Sequence, residues 1–387
     1  MKRFPVAPRA DWQQTAADCG FRFHTMYGEP YWDESACYAF TLEEIERDLE
    51  GPSAELAMMC LDVVDIAVRD EAILHRLGIP AGQHDFVHDA WRRGEASLYG
   101  RFDFAYDGRG PARLYEYNAD TPTALYETAY FQWVWLEQAL ARGLIPAGCD
   151  QFNSVQEVLI ERLSRMAPPE GPMHFTCARD SEEDRGTVEY LRDCAEQAGI
   201  PTRFLFVDEI GVDSNGQYTG LDGEALRHLF KLYPWEFLFR EDFARFLPGC
   251  DTYFVEPPWK AVLSNKGLLA LLWEHFPGHP NLLPTWFADD PRANRLGASY
   301  VRKPLYSREG ANVRIVERGR IVCDEPGPYG AEGHVLQALC PPPRFAGRHV
   351  VIGSWIIGQQ ACGIGIREDS GPVTKDLSRF VPHVILN

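Results

Sequence analysis

The order of apolar and polar residues predicts a chain of mixed helices and strands. Residues 41–44 and 154–157 both have the Ser/Thr-x-x-Glu spacing of a capping box, which predicts helices that begin near residues 41 and 154. A longer helical pattern covers residues 53–77 and ends at a Gly/Pro stop. A stripe of aromatic and aliphatic residues predicts another helix over residues 122–142.

The second half of the chain contains clear strand patterns. Residues 173–177 and 203–207 are apolar and flank a helical pattern over residues 182–198, an order that is typical of a β–α–β unit. After residue 281, short strand-like segments separated by glycine predict an antiparallel sheet that includes residues 350–357 and 362–367. The patterns together predict the α/β class.

One pair of strand patterns carries charged residues on a single face. Residues 97–118 alternate in polarity around a turn rich in glycine and proline, which predicts a β-hairpin. Period-two geometry then places Asp103 opposite Glu116 and Arg101 opposite Asn118. All four side chains are expected on one face.

The predicted facing of two carboxylates suggests a bound cation, because opposed like charges destabilise a hairpin. A magnesium ion held by Asp103, Glu116 and the amide oxygen of Asn118 would supply this charge, since an all-oxygen set suits a hard divalent ion that carries nucleotide phosphates. Arg101 has the charge to stabilise a transferring phosphoryl group. The residues alone also fit a half-exposed hairpin with a solvated charged face.

Composition limits the classes of function. The 387 residues are 45% hydrophobic, enough for a substantial core, and the net charge of −18 argues against sequence-independent binding of nucleic acid. We find no apolar stretch long enough for a signal peptide or a membrane span, so we expect a cytoplasmic protein without a membrane partner. The ten cysteines, none in a C-x-x-C motif, are expected to be small buried apolar residues.

The hairpin motif resembles that of a known enzyme family. Arg-Phe-Asp at 101–103, followed by Glu-Tyr-Asn-Ala-Asp-Thr at 116–121, resembles the synthetase domain of glutathionylspermidine synthases, and the resemblance covers nearly the whole chain. It implies a circularly permuted ATP-grasp fold, because the metal-binding residues here precede the phosphate-binding lysines. The implied divisions are a single synthetase module at 1–387, a metal-binding hairpin at 96–120, a Rossmann-like pre-ATP-grasp subdomain at 171–260 and a lid region at 285–340.

The resemblance also implies roles for the hairpin residues. In that family the aspartate, glutamate and asparagine of the motif bind magnesium, so Asp103, Glu116 and Asn118 are the implied metal ligands. The family arginine steadies the transferring phosphate, which implies that role for Arg101. Phe102 and Asp103 are implied neighbours of ATP.

Later motifs resemble the remaining ATP-binding segments of the family. Residues 264–267 resemble its Asn-Lys motif, and Ser264 by itself predicts the cap of a helix over 265–276. Residues 303–312 resemble its mobile lid, although the residues alone also fit a surface hairpin with a basic tip. The implied ATP-binding residues are Lys266, Lys303, Arg308, Gly310, Gln337, Ala338, Leu339 and Arg367, the last being catalytic with Arg101.

Substrate contacts are also implied. Thr121 stands where the family has a serine that contacts glutathione, and Glu182 and Glu183 match acidic residues that bind the polyamine. The two glutamates also simply favour the start of a helix. Arg379 matches a family aspartate near the polyamine, and we expect this cation to disfavour spermidine.

These residues predict an ATP- and magnesium-dependent ligase for small molecules, which forms an amide from a carboxylate, such as that of glutathione, and an amine through an acyl phosphate. Two alternatives stay open: a phosphotransferase that stops at the phosphorylated product, and an ATP-binding regulatory protein without turnover. A carbohydrate-active protein is suggested by composition alone and gives the lysine motifs no role.

Overall fold

The predicted hairpin is present and forms one side of the largest sheet. The structure, a computed structural model, describes residues 1–26, 28–375 and 377–386. The hairpin strands are Tyr99–Ala105 and Arg113–Asn118. Asp103 lies opposite Glu116 as the spacing predicts, and a bulge directly after Asp103 shifts the pairing by one residue toward the turn.

The largest sheet, here the central sheet, is antiparallel throughout. From one edge to the other its strands are Arg379–Val381, Gln360–Asp369, Arg348–Ile357, Tyr99–Ala105 and Arg113–Asn118, with Arg344–Phe345 paired beside Arg348–Ile357. The prediction that residues 350–357 and 362–367 share a sheet with the strands that directly follow residue 281 is therefore wrong. Both segments are buried on their two faces, and they join the sheet that lies between two core layers.

A second antiparallel sheet contains the strands that follow residue 281. Its strands, in spatial order, are Thr285–Phe287, His334–Ala338, Tyr300–Pro304, Arg314–Glu317 and Arg320–Asp324. The antiparallel arrangement predicted for this region is confirmed.

A four-stranded parallel sheet contains the predicted β–α–β unit. Met173–Cys177 pairs in parallel with Thr202–Phe206, and helix Glu182–Gln197 connects them, so this prediction is confirmed. Strands His228–Leu232 and Tyr253–Val255 complete the sheet on the other side of Met173–Cys177. A further sheet joins Lys2–Pro5, Ala36–Thr41 and His383–Leu386, and two small hairpins pair Thr25–Met26 with Glu29–Pro30 and Gly211–Val212 with Tyr218–Thr219.

The helices partly match the predicted ones. The capping box at Thr41 is confirmed, because Thr41 Oγ1 accepts from the amide of Glu44. The α-helices are Trp12–Asp18, Leu42–Ile45, Gly51–Ala67, Glu71–Arg76, His84–Arg92, Gln132–Ala141, Val155–Arg165, Glu182–Gln197, Trp235–Leu238, Lys260–Leu263 and Gly267–His275. The π-helical turns are Glu46–Glu50 and Glu127–Phe131, and the 3₁₀ turns are Ala81–Gln83, Val207–Glu209, Asp242–Gly249 and Pro291–Leu296.

Three helix predictions need correction. The helix expected over residues 53–77 is two helices, because Asp70 caps the second one by accepting from the amide of Ala72. The helix expected over residues 122–142 starts later and opens with a π-helical turn. The helix near residue 154 is present, but the Ser154 hydroxyl donates to the carbonyl of Cys362 instead of capping it.

Two hydrophobic layers cover the faces of the central sheet. Phe102 and Phe104 belong to the layer that includes helix Gly51–Ala67. Tyr99 and Trp355 belong to the layer on the opposite face, where helices following the hairpin pack. Because residues 99, 101 and 103 alternate with Phe102 and Phe104, the face of Tyr99 also carries the charged residues of the hairpin.

The cysteines and the helix lengths agree with the bulk properties. All ten cysteines are free, and six of them are buried: Cys37, Cys60, Cys149, Cys177, Cys194 and Cys362. Among the described residues, no helix is both long and apolar enough to cross a membrane.

A buried ion pair joins the end of the hairpin to the parallel sheet. Lys231 Nζ lies 2.7 Å from Asp120 Oδ1, and the two side chains are 1% and 2% exposed. The amide of Trp235 donates to the other oxygen of Asp120 at 2.8 Å. Asp120 directly follows the hairpin, so this pair fixes the hairpin end against strand His228–Leu232.

We expect Lys231→Met to lower the free energy of unfolding by about 3–5 kcal/mol, because it leaves the charge of Asp120 buried without a partner. Urea denaturation measures the change. Adding Asp120→Asn should recover part of the loss. The matched control is Arg203→Met on the same sheet, whose exposed pair with Glu224 should be worth less than about 1 kcal/mol. Equal effects of the two single variants would contradict this role of the buried pair.

Candidate active site

A cleft of about 300 Å³ lies between the open end of the hairpin, the second antiparallel sheet and the start of helix Glu182–Gln197. Most residues singled out from the sequence line it. They are Arg101, Asp103, Glu116, Asn118, Thr121, Glu183, Lys266, Lys303, Arg308, Gly310, Gln337, Ala338, Leu339 and Arg367. The cleft therefore brings together segments that are far apart in the chain.

Asp103 is held by two arginines. Arg101 Nε lies 2.7 Å from Asp103 Oδ1, and Arg367 Nη2 lies 2.7 Å from Asp103 Oδ2. The amide nitrogen of Asn118 also donates to Oδ2 at 3.1 Å. Burial alone would raise the pKa of Asp103, but the positive charges of Arg101 and Arg367 outweigh it and hold the pKa below its usual value. Asp103 is therefore a carboxylate at neutral pH.

Glu116 is neutralised by a lysine. Lys266 Nζ lies 3.1 Å from Glu116 Oε2 and donates to the carbonyl of Ser307 at 2.9 Å. Burial raises the pKa of Glu116, but the positive charges of Lys266 and Lys303 together outweigh burial, so the net pKa is below the usual value. Lys303 Nζ donates to the carbonyl of Tyr115, and burial lowers the pKa of Lys303 to about 8 in spite of the nearby Glu116.

The opposed carboxylates Asp103 and Glu116 thus form ion pairs with arginine and lysine side chains of the protein itself. Within the described residues, no group of three His, Cys, Asp or Glu side chains could hold a metal ion. Asp103, Glu116 and Asn118 nevertheless offer oxygen donors at the mouth of the hairpin, since Asn118 uses only its amide nitrogen toward Asp103. Such an oxygen set fits a hard divalent cation.

The loop after Lys303 folds over the cleft. Arg308 Nη2 donates to Thr121 Oγ1 at 2.6 Å, so the loop is linked to the segment that follows the hairpin. Gly310 has a φ of +72°, and a Cβ there would collide with Val373. Glycine is therefore required at this position for conformational and steric reasons.

The Asn-Lys motif is held differently from the prediction. Ser264 does not cap a helix; Asn265 Oδ1 accepts from the amide of Gly267 at 2.7 Å, and the helix is Gly267–His275. Asn265 Nδ2 donates to the carbonyl of Leu77. Lys266 thus lies immediately before the helix and not in its first turn.

Two of the singled-out residues lie outside the cleft. Phe102 is fully buried in the core and stacks on Tyr117 at 4.1 Å between ring centroids, because strand alternation turns it away from Arg101 and Asp103. Glu182 is exposed and does not line the cleft, whereas Glu183 does. The side chains of Phe102 and Glu182 therefore do not reach the expected site.

Arg379 also lies away from the cleft. It pairs across strands with Glu368, whereas Arg367 pairs with Phe380, so Arg379 and Arg367 point to opposite faces of the central sheet. Arg379 Nη1 lies 3.2 Å from Asp33 Oδ2, which neutralises it. Arg379 is therefore not placed to repel an amine in the cleft, which removes the structural basis for expecting it to disfavour a cationic amine.

Some residues of the site carry no sequence signal. Gly353 pairs directly opposite Asp103, and a Cβ there would lie 2.7 Å from Arg101 Cδ, so glycine leaves room for that side chain. Only the register of the central sheet reveals this. Asp120 lies within the hairpin motif, but its role depends on Lys231, which is distant in the chain.

Comparisons with known proteins show which family the chain resembles. Residues 3–386 match the family model described as glutathionylspermidine synthase preATP-grasp. The chain is 40% identical to a putative acid–amine ligase of Haemophilus influenzae, over 99% of each chain. It is 28% identical to the bifunctional glutathionylspermidine synthetase/amidase of Escherichia coli, over 90% of this chain and 59% of that protein.

A solved structure shares the fold. The glutathione synthetase-like effector of Globodera pallida matches with a TM-score of 0.56 at 12% identity, over 90% of this chain and 89% of that one. At this identity the likeness shows the fold alone, and it agrees with the predicted α/β class. The family match, together with the acid–amine ligase relative, identifies the protein more closely. The chain belongs to the glutathionylspermidine synthase family of ATP-dependent carbon–nitrogen ligases.

Proposed function

We propose that the protein activates a small carboxylic acid as an acyl phosphate with ATP and joins it to an amine. The observation that carries this proposal is a cleft in which five cationic side chains of the motifs described above lie together with two opposed carboxylates and one amide. The five cations are Arg101, Lys266, Lys303, Arg308 and Arg367. A polyphosphate bound with a divalent ion fits both sets of charges, because the cationic side chains bind the phosphates and the carboxylates bind the ion.

The residues proposed to hold magnesium are Asp103, Glu116 and Asn118. When bound there, the ion neutralises charge on the nucleotide phosphates. The oxygen donor set and the low pKa of Asp103 and Glu116 support this assignment, because both side chains are ionised at neutral pH. Lys266 and Lys303 bind phosphate oxygens from the other side of the cleft.

Phosphoryl transfer is stabilised by the two arginines. Arg101 and Arg367 both contact Asp103, which holds their guanidinium groups side by side at the place where the transferring group acquires charge. The carboxylate oxygen of the acid bonds to the γ-phosphorus as ADP leaves. The amine nitrogen then bonds to the acyl carbon, and phosphate departs with the electron pair of the broken C–O bond. No side chain forms a covalent bond with the substrate.

The remaining segments position ATP and exclude water. The backbone of Gln337, Ala338 and Leu339 binds the adenine, and the loop with Arg308 and Gly310 closes over the phosphates. The Arg308–Thr121 hydrogen bond supports this closure, because it links the loop to the hairpin end. A closed loop protects the acyl phosphate from hydrolysis.

The proposed acid is glutathione or a related peptide, bound beside Thr121. The amine, a polyamine or a smaller amine, approaches Glu183, whose carboxyl lines the cleft. Similarity to the glutathionylspermidine synthetase/amidase of Escherichia coli supports a peptide acid, and similarity to the acid–amine ligase relative of Haemophilus influenzae supports an acid–amine reaction. The position of Arg379 on the other sheet face removes one objection to a cationic amine.

The test is ADP release over a grid of acids and amines that includes glutathione and spermidine, with the amide identified by mass spectrometry. We expect Asp103→Ala to lower turnover by about 100- to 1,000-fold or more, because it removes a metal ligand and the anchor of two arginines. Asp107→Ala, at the exposed tip of the same hairpin, is the matched control and should keep wild-type turnover. If Asp103→Ala and wild type agree in ATP binding and in turnover, the site assignment fails.

The same assay separates the alternatives. ADP without amide or free phosphate indicates a phosphotransferase. A thermal shift with magnesium-ATP but no ADP with any acid and amine indicates a nucleotide-binding protein without turnover. Either result overturns the ligase proposal.

Gly353→Ala tests how tightly Arg101 must be placed. The added methyl group displaces the Arg101 side chain, and we expect kcat to fall about 10- to 100-fold, since small displacements of a charged group are costly in catalysis. The fold should survive with a loss of about 1–3 kcal/mol. Gly82→Ala, where a Cβ meets nothing within 4 Å, is the matched control. An unchanged kcat in Gly353→Ala would refute the role of Arg101.

A further inference from the structure

Glu127 is a buried carboxyl beneath the cleft for which the sequence motifs give no role. It is fully buried, and within the part of the chain that the structure describes neither of its oxygens has a hydrogen bond of normal geometry, although Tyr31 lies near enough to lower its pKa. A buried carboxyl with so little support is costly, and such an exception needs an explanation. Its surroundings provide one.

The neighbours of Glu127 belong to the cleft. Glu183, which lines the cleft from the first turn of helix Glu182–Gln197, interacts with Glu127 electrostatically. Tyr31, Arg101 and Arg367 also line the cleft and lie near the carboxyl. The buried carboxyl of Glu127 therefore lies close to residues that line the cleft.

The backbone near Glu127 is held in uncommon conformations. Glu127 begins a π-helical turn, a form that is rare and concentrated at functional sites. Three residues earlier, Ala124 has a φ of +64°, a region that non-glycine residues seldom adopt. Thr123 accepts a hydrogen bond from Arg101 through its carbonyl, which ties this segment to the site. These features place Glu127 where a regular helix would not.

The two carboxyls titrate near neutral pH. Burial raises the pKa of Glu127 to about 7. Burial, followed by the charge of Glu127, raises the pKa of Glu183 to about 8. The other charged or titratable groups that face the pair are Asp184 and Glu309 beside Glu183, Tyr31 and Tyr126 beside Glu127, and Arg101 and Arg367. Because the charge of Glu127 disfavours ionisation of Glu183, the two carboxyls are not both fully ionised at neutral pH.

We propose that Glu183 accepts the proton of the attacking amine and that Glu127, a buried carboxyl that interacts with Glu183, is the positioning residue for this step. This inference rests on the proposed ligase function. The attacking nitrogen is that of the neutral amine, which has lost its ammonium proton to water; as it bonds to the acyl carbon and phosphate leaves with the electron pair of the C–O bond, the nitrogen becomes positively charged and acidic. Its proton passes to Glu183, and the amide leaves neutral.

This role differs from simple attraction of an ammonium group. A carboxyl that only binds a cation functions best when it is ionised at every physiological pH. Burial and the charge of the second carboxyl, Glu127, instead raise the pKa of Glu183, which makes it a stronger base near the working pH. The interaction of Glu127 with Glu183 is therefore expected to affect the attack of the amine on the acyl phosphate and not the formation of the acyl phosphate.

The test compares two nucleophiles with glutathione as the acid: spermidine, which is cationic, and hydroxylamine, which is neutral and weakly basic. At saturating spermidine we expect Glu183→Gln to lower kcat for amide formation by about 100-fold or more, since general bases contribute that much, whereas the loss of ammonium attraction alone would raise KM and leave kcat unchanged. Hydroxamate formation should stay within about twofold of wild type, because hydroxylamine gives its proton to water. Equal loss of amide and hydroxamate would overturn the proposal.

The dependence on pH tests Glu127. In wild type, kcat for amide formation should fall as the pH decreases through about 8, since Glu183 becomes protonated. Glu127→Gln removes a negative neighbour, so this fall should move to lower pH. Glu137→Gln, on the exposed side of the following helix, is the matched control. If kcat for amide formation decreases at the same pH in Glu127→Gln as in wild type, the positioning role of Glu127 is refuted.

A measurement without turnover completes the test. In protein labelled with ¹³C at the glutamate carboxyls, one NMR resonance should titrate near pH 8, vanish in Glu183→Gln and shift to lower pH in Glu127→Gln. If every glutamate titrates below about pH 6, the pair has ordinary acidity and the inference fails. Failure of the ligase proposal is distinct, because wild type would then release no ADP with any acid and amine.

Discussion

Asp103 and Glu116 face each other across two antiparallel strands, and the repulsion between them determines what must surround them. Buried carboxylates at this distance need positive charge, which here comes from arginines on one side and a lysine on the other. These cations come from the hairpin itself, from strand Gln360–Asp369 and from the segment before helix Gly267–His275. The central sheet, its neighbours and the Asp120–Lys231 pair bring those segments to one place.

The hairpin could be predicted from the sequence because its geometry is local. Alternation along a strand and a short turn were enough to place Asp103 opposite Glu116. The same alternation excludes Phe102 from the cleft, so the motif resemblance was less reliable there than the period of the strand. Thr41 was predictable for a similar reason, since its partner lies three residues away.

Features that depend on distant partners could not be predicted. The hydroxyl of Ser154 bonds to a strand more than two hundred residues later, and no local pattern signals this. The strands after residue 348 looked like continuations of the preceding sheet, but their burial on both faces required a position in the middle of the central sheet. Gly353 and Glu127 become meaningful only when the segments opposite them are known.

The contacts between the cations and carboxylates of the cleft have a thermodynamic consequence. Lys266, Arg101 and Arg367 each hold a carboxylate in the absence of phosphate. A cation drawn toward a phosphate leaves its carboxylate in greater need of positive charge, and a divalent ion at the carboxylates frees the cation. Affinity for nucleotide and affinity for metal are therefore linked through a shared coupling free energy, and linkage makes this coupling reciprocal. Binding of the nucleotide and binding of the divalent ion, two ligands of opposite charge, therefore strengthen each other.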